Sequence, residues 1–500
     1  MKTKIYMLLA LAFPLFASCF RAEGNFEYDD PLVIQVTGIQ EQYTVSSGDV
    51  IALRPEITPA DRQYTCFWTI TPAQAQNASA VDTISKEQTW EYTVNRSIGT
   101  YKLRFCAKDT QTGIFAYKEY IVNVTTDMAT GWWILKEEEE ETDFDFFASA
   151  DKAKENLLLS QQGSRMKGKP LNLFFTHSFW HFDETSLRDV RTNAVFAASE
   201  GDIVALDYFT GRVLSKYEDL FVEQPANRIV RDMFSGPSDV HVYVDNTVYT
   251  MYNASYSVYK QFVLKSLGDY ELSLPKHSTH ITLPILFNEK NTSFCSVSRN
   301  SPNLEYFTSG SPSPGNTGMD LLFLGGKTVS ANSPGDVAFA IMKKKDADEY
   351  HLLTLNGQPW SVSVNLIQKT ERLDNSLKVL HAEYRTLNQN NNIIYFSEGN
   401  RLFACNLDNK TESEQSVAIP AGEEITYMEF LKYAPYGLNS SWFDYLAIAT
   451  VQGEDYTLYL HPVDAGQIMP AQTAFRGKGR VKRACYMAQN NNGIHTTTLF

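Results

Sequence analysis

Residues 195–213 read VFAASEGDIVALDYFTGRV, two short apolar, β-rich runs separated by a Ser-Glu-Gly-Asp turn and closed by Thr-Gly. Residues 394–410, IYFSEGNRLFACNLDNK, repeat the pattern with the same Ser-Glu-Gly turn. Short apolar runs bounded by turn residues predict strands, and two runs joined by a tight polar turn predict a hairpin. Ser199 and Ser397 stand about four units of ~50 residues apart, which makes the hairpin a repeating unit. From residue 131 onward the pattern predicts seven hairpins: 133–135/144–147, 195–198/203–206, 240–244/247–252, 294–297/304–307, 338–342/350–355, 394–396/402–405 and 446–450/456–460. Recurrence at this interval predicts a β-propeller of about seven blades over residues 131–488, with 489–500 as a C-terminal tail. Helical character is confined to 151–159, read as a short surface helix or a loop.

The first hairpin begins directly at Gly131, so its blade lacks a strand from preceding sequence. The run 481–487, VKRACYM, alternates like a strand and has no hairpin after it. An unpaired sheet edge invites association with other chains. The spare strand is therefore expected to pair beside residues 132–135 and join the two ends of the ring.

Upstream, residues 31–125 hold short strand patterns at 32–37, 43–45, 50–55, 64–70, 89–94, 100–107 and 114–124. Seven short strands in ~100 residues predict an immunoglobulin-like sandwich. Tyr64-x-Cys66-x-Trp68 places Trp68 inward on a central strand. Cys66 shares that face, whereas Cys106 alternates away from Tyr101, Leu103 and Phe105, so strand parity argues against a disulfide between them. Ser97-x-Gly99-Thr100-Tyr101-x-Leu103 resembles the Gly-Thr-Tyr strand start of PKD domains, though the Gly-Asp-Gly loop of those domains is absent. The fold class expected is all-β: an Ig/PKD-like sandwich followed by a propeller.

Charge and composition narrow the partners. The net charge is −14, and one basic cluster, Arg476, Lys478, Arg480, Lys482 and Arg483, reads as a solvated turn and strand edge. Nucleic acid and anionic lipid need a basic footprint and are not expected as partners. Tyr numbers 27 and Phe 30, which favours strands over helices.

The N-terminus reads as a targeting segment. Lys2 and Lys4 precede an apolar run at 5–16. That fits a signal-peptide core of ~7–15 residues and falls short of the ~20 that span a bilayer. Ala17-Ser18 then precedes Cys19, as in the bacterial lipobox, with Phe16 where Leu is usual. Two readings stand: lipidation of Cys19 after removal of 1–18, or ordinary cleavage leaving a free thiol. Residues 19–30 read as a flexible tether. The order of parts resembles the PKD-like family of Bacteroidetes lipoproteins: lipobox, short acidic tether, PKD-like module, then Gly131-Trp132-Trp133-Ile134-Leu135-Lys136-Glu137 followed by Asp143-Phe144-Asp145. The resemblance implies an exported protein with a lipid anchor at the outer membrane, on its cell-surface or periplasmic side. It carries over no catalytic residue.

Candidate chemistry is sparse. His177, His181 and Asp183 form the densest polar-aromatic cluster, but residues four apart on a strand lie about 13 Å apart, too far for a shared metal. The cluster is left as a structural or ligand-facing loop. His277 and His280, beside Pro275, read as loop residues. Glu137, Glu138, Glu139, Glu140 and Glu141 with Asp143 and Asp145 offer carboxylates for Ca²⁺ without the spacing of a calcium loop, and read as a solvated hairpin tip. No CxxC, GxSxG, HExxH or Gly-rich phosphate loop occurs, so no catalytic residue, metal or cofactor is assigned. Cys66, Cys106, Cys295, Cys405 and Cys485 read as packed thiols. Trp132, Trp133, Trp180, Trp360 and Trp442 invite sugar stacking or packing between blades. Trp180, His181, Trp360 and Trp442 are the ligand-facing candidates. The function expected is non-enzymatic binding or scaffolding of a glycan or protein ligand, in glycan uptake or adhesion. The alternative is an extracellular propeller hydrolase with a carboxylate pair drawn from distant blades.

The anchor is directly testable. Cys19→Ala is expected to move the protein from the membrane to the soluble fraction, because one lipid anchor is the only attachment the sequence offers. Unchanged fractionation, together with an unchanged N-terminal mass, overturns lipidation.

Overall fold

The computed structural model describes residues 32–497 apart from 47–48, 74–81, 95, 97, 184–187, 236–238, 253–259, 275–282, 299–300, 328–336, 434–441 and 491–492. Cys19, His277 and His280 lie outside the described residues. The chain divides into two compact units between Thr125 and Thr126.

The first unit is a sandwich. A five-stranded sheet runs in the order Gln42–Ser46, Phe115–Thr125, Gly99–Asp109, Tyr64–Pro72, Asp82–Ser85. Two strand pairs, Gln35–Thr37 with Glu56–Thr58 and Val50–Leu53 with Trp90–Thr93, supply the other half of the core. Glu56–Thr58 and Asp82–Ser85 are too short and polar for their pattern to register in the sequence. Trp68 is fully buried, 4.6 Å from the Phe105 ring, and its indole N–H donates to the Glu87 carbonyl at 3.0 Å. Cys66 lies in this core, while Cys106 pairs in register with Phe67 on the opposite face, and both are free thiols.

Among the described residues, seven sheets make up the second unit, in the ring arrangement of a propeller. Blade 1 holds Thr130–Glu138, Glu141–Ser149 and Lys152–Lys154, with the returning Arg480–Asn490 and Gly493–Thr496. Blade 2 holds Pro170–Asp183, Arg188–Ser199, Asp202–Asp207 and Val213–Lys216. Blade 3 runs from Val230–Ser235 through Asp239–Val244 and Thr247–Tyr252 to Leu264–Ser266, and blade 4 from Leu286–Asn288 through Ser293–Ser296 to Glu305–Tyr306. Blade 5 holds Met319–Gly326, Val337–Lys344, Tyr350–Asn356 and Ile367–Leu373. Blade 6 holds Arg385–Leu387, Ile393–Glu398, Arg401–Asn406 and Thr411–Ala418. Blade 7 holds Glu424–Tyr433, Phe443–Gln452, Asp455–Asp464 and Thr473–Lys478.

The first strands of successive blades form the inner ring. Pro170–Asp183 packs on both Val230–Ser235 and Arg480–Asn490, and Glu424–Tyr433 packs on Arg480–Asn490 and Arg385–Leu387. The middle strands are buried on both faces because each blade is covered by its two neighbours. Ala194 through Ser199 and Ile203 through Leu206 are all buried. This is why the sequence shows continuous apolar runs there rather than strict alternation. Trp132 and Trp133 divide the same duty. Trp132 faces blade 7, with Phe443 and Phe475 at 5.8 and 5.9 Å, and Trp133 packs on Phe144 and Phe146 in the core shared with blade 2.

The ring closes as the alternation of 481–487 requires. Trp132 pairs with Tyr486, Trp133 with Cys485, Ile134 with Ala484 and Leu135 with Arg483. A bulge between Leu135 and Lys136 leaves Lys482 without a counterpart. Residues 489–500 are not a plain tail. Gly493–Thr496 pairs with Arg480–Asn490 on its inner edge, Ile494 joins the core, and the Thr497 N–H donates to the Tyr486 carbonyl at 2.8 Å. Once the inner strand of blade 1 is in place its edge stays open toward the axis, and the chain folds back to cover it.

Two other expectations change. The repeated Ser-Glu-Gly hides a one-residue slip: Ser199 pairs with Asp202 across Glu200-Gly201, whereas Glu398 pairs with Arg401 across Gly399-Asn400. Gly399 sits at φ 58, which a glycine adopts without strain. The helix expected at 151–159 is shifted to Leu157–Gln162; it lies at the surface with Leu159, Ser160 and Gln161 exposed, while Leu157 and Leu158 are buried beneath it.

Trp68→Ala in residues 31–125 is expected to cost roughly 3–5 kcal/mol, as for other buried large aromatics. Unchanged thermal melting removes Trp68 from the core. Truncation after Arg480 is expected to abolish the cooperative urea transition of the ring, since it removes the inner strand of blade 1. Truncation after Gln489 is expected to lower stability by roughly 2–5 kcal/mol, the cost of losing a buried aliphatic such as Ile494. Urea midpoints equal to the full chain for both truncations refute the closure.

Candidate functional site

Strand direction sorts the ring into two faces. Strands alternate in direction within a blade, so first-to-second and third-to-fourth connections emerge on one face and second-to-third turns on the other. Trp180 lies near the first-to-second connection of blade 2, Trp360 in the third-to-fourth connection of blade 5, and Trp442 directly before the second strand of blade 7. The three tryptophans therefore share a face. Trp360 is 76% exposed and Trp442 63% exposed, while Trp180 is half-buried.

His181 does not face a ligand. It is buried, stacks on Phe179 at 6.2 Å, and burial lowers its imidazole pKa. The reason is parity: Phe179 and His181 point to the same covered side of a strand paired through to Asp183. His177 falls on the other side of an irregularity between Thr176 and Phe179, with its ring 4.6 Å from Phe175. Among the described residues no group of three or more His, Cys, Asp or Glu is arranged to hold a metal.

The carboxylate run of blade 1 is a solvated tip only at its turn, where Glu139 and Glu140 are exposed. Only Glu139 and Glu140 form the turn, at φ 56 and 62. Asp143, Asp145 and Lys136 are fully buried. Lys136 Nζ lies 3.0 Å from Asp145 Oδ1, and Asp145 Oδ2 accepts from the Tyr456 hydroxyl of blade 7 at 2.7 Å. Asp143 accepts from the backbone N–H groups of Leu158 and Leu159 at 2.8 and 3.1 Å, tying the short helix to blade 1. Burial pushes the Asp143 carboxyl up, against those hydrogen bonds.

A second polar group lies on the inner strands and is not flagged by any motif. Arg483 of blade 1 sits 3.3 Å from Glu429 of blade 7, which accepts the Tyr427 hydroxyl at 2.7 Å. Asp232 of blade 3 accepts from the Met233 N–H at 2.7 Å and from Asn172 Nδ2 of blade 2 at 3.4 Å. Burial pushes the Asp232 carboxyl up to about 6, opposed by the Met233 N–H and the charge of Arg483. Each pair joins inner strands of neighbouring blades, and the charge of Arg483 reaches Asp232. Their sequence signal was charged residues set among apolar ones within a strand, as Arg231 and Asp232 in VRDMFS and Glu429 and Lys432 in MEFLKY. Arg483 was expected in a solvated basic edge. It is instead half-buried, and Arg480 and Lys478 pair with Glu424 and Asp455.

On the opposite face, grooves of about 580 and 540 Å³ flank Glu423. Their charges are largely paired, as in Lys378 with Glu398 at 2.7 Å. On the tryptophan face, a groove of about 420 Å³ is lined by Trp442, Lys432, Asp444, Asn390 and Gln472. Burial pushes the Cys405 and Cys485 thiols up to about 12, which keeps them protonated and poor nucleophiles.

Solved structures of distant likeness align with this chain. A quinonprotein alcohol dehydrogenase-like protein from Bacteroides thetaiotaomicron aligns at 10% identity and TM-score 0.38, covering 89% of this chain and 96% of that one. The dihydro-heme d1 dehydrogenase NirN aligns at 8% identity and TM-score 0.36, covering 72% and 75%. Hsv2p of Kluyveromyces lactis aligns at 9% identity and TM-score 0.32, covering 66% and 97%. No curated protein matches the sequence. The assignment of the ring rests on its own strand pairing. Residues 19–170 match the PKD-like family, a span that runs past the sandwich to the end of blade 1's outer strands and takes in the Gly-Trp-Trp-Ile-Leu-Lys run. From Cys19 to the start of blade 2, then, the chain carries a segment that matches the PKD-like family.

Proposed function

We propose that this is an exported, lipid-anchored binding or scaffold protein of the outer membrane, in which the propeller recognises a ligand on its tryptophan face. The ligand is a glycan or a protein, and the setting is glycan uptake or adhesion. The observation that carries the reading is the placement of Trp360 and Trp442. Both tryptophans stand mostly exposed on one face of a ring that packs most of its aromatic residues between blades, with Phe182 of blade 2, 51% exposed, as a further exception. Exposed aromatic residues on a rigid scaffold are the common anchors of recognition. A hydrolase would need an acid and a second carboxylate open to substrate. Glu429 is bonded to Tyr427 and Arg483, and Asp232 to Asn172 and Met233, which favours a structural role for both.

The full chain is expected to bind a glycan array or outer-membrane protein extract while releasing no reducing ends from maltohexaose, cellohexaose or mannohexaose. Trp360→Ala together with Trp442→Ala is expected to abolish the binding and leave melting nearly unchanged, because both side chains are exposed. Sugar release that Asp232→Asn or Glu429→Gln removes replaces binding with hydrolysis.

A further inference from the structure

The groove around Trp442 has a chemistry of its own. Trp442 lies next to Phe443, whose ring stacks on Tyr445 at 4.6 Å and on Tyr433 at 5.2 Å. Phe443 and Tyr445 turn toward blade 1, while Trp442 remains exposed. Lys432 and Asp444 are cross-strand partners at the end of blade 7. Asn390, from the first-to-second connection of blade 6, reaches across to both. Its Nδ2 donates to Asp444 Oδ2 at 2.6 Å, and its Oδ1 accepts from Lys432 Nζ at 2.7 Å. Asn390 is itself held by Asn388, whose Oδ1 accepts from the N–H groups of Asn390 and Asn391 at 2.7 and 3.0 Å. Gln472 completes the rim from the third-to-fourth connection of blade 7.

We propose that this groove is a carbohydrate subsite, with Trp442 as the stacking platform and Asp444, Asn390, Lys432 and Gln472 as hydrogen-bonding partners for hydroxyl groups. The inference rests on the recognition-face reading and names its ligand. A pyranose has one C–H face, which suits an aromatic plane, and a rim of hydroxyls that both donate and accept. The rim here alternates carboxylate, amide and ammonium, already tied into fixed positions before a ligand arrives. The volume of about 420 Å³ accommodates one or two sugar rings. Charge argues against an anion, since the carboxylate of Asp444 shares the groove with Lys432. A peptide that binds by adding a strand would need an unpaired strand edge. Phe443–Gln452 is paired on both sides, by Glu424–Tyr433 and Asp455–Asp464.

The test is ¹⁹F NMR of the full chain labelled with 5-fluorotryptophan, with Trp442→Phe, Trp360→Phe and Trp180→Phe assigning the three resonances. Maltohexaose, cellohexaose and mannohexaose are titrated to 10 mM, alongside a neutral hexapeptide. At least one sugar is expected to shift the Trp442 resonance, and Asp444→Ala is expected to weaken that sugar at least tenfold without changing the melting temperature. A Trp442 resonance unmoved by all three sugars overturns the subsite. If a sugar moves only Trp360 or Trp180, this subsite falls and the recognition face stands. If the peptide moves Trp442 and no sugar does, the ligand class falls and the recognition face stands. Should Asp444→Ala misfold, Gln472→Ala supplies the same weakening, and full-strength sugar binding by Gln472→Ala and Asn390→Ala together refutes the polar rim.

Discussion

Everything in the second unit depends on the antiparallel pairing of Thr130–Glu138 with Arg480–Asn490. Each blade is covered only by its neighbours, so until the ring closes the cores that blade 1 shares with blades 2 and 7 stay incomplete. Blade 1 is assembled from both ends of the unit, so neither end can leave without exposing two faces at once. The chain entropy of bringing the ends together grows only slowly with the length between them, whereas the area covered is that of two blade faces. Tyr456 and Asp145 reinforce the seam with a buried hydrogen bond between blades 7 and 1, and Lys136 neutralises the carboxylate. Removing one member of such a buried set would leave a charge without compensation, so the three residues act together.

Closure also explains how the blades accept divergent sequences. With both faces of the middle strands apolar, a slip of one residue, as between the turns of blades 2 and 6, keeps apolar side chains against both neighbours. In a sheet with one wet face the same slip would turn the apolar set to solvent. Specificity of blade order falls instead to the few polar residues of the inner strands. Asn172 with Asp232 and Arg483 with Glu429 each join two blades, and each would be buried unpaired against the wrong neighbour.

The same economy leaves function to the rims. Inner and middle strands are committed to packing, so side chains with freedom to meet a ligand are those at connections. Trp360, Trp442 and the Asn388–Asn391 turn all lie there, on one face, while the charged groups of the opposite face are occupied with each other.

Much of the architecture was written in local pattern. Apolar runs broken by polar turns, two residues long in five of the seven cases, specify hairpins wherever they sit, so all seven hairpins, the sandwich core at Trp68 and the spare strand at 481–487 were legible from the sequence. What lay beyond reach were properties set by neighbours distant in the chain. Asp143 and Asp145 read as solvent-facing because nothing local tells a hairpin tip from a strand covered by the next blade and a helix. His181 read as open because the sequence does not say which side of a blade is covered. Gly493–Thr496 became a strand only because Arg480–Asn490 offered it an edge. Asn390, Lys432 and Asp444 became one site only when blades 6 and 7 met. Sequence determines which segments are strands and where they turn, since those are short-range matters of sterics and hydrophobic period. Burial, charge pairing and the composition of a site belong to the tertiary structure, because each depends on which surfaces the closed ring brings into contact.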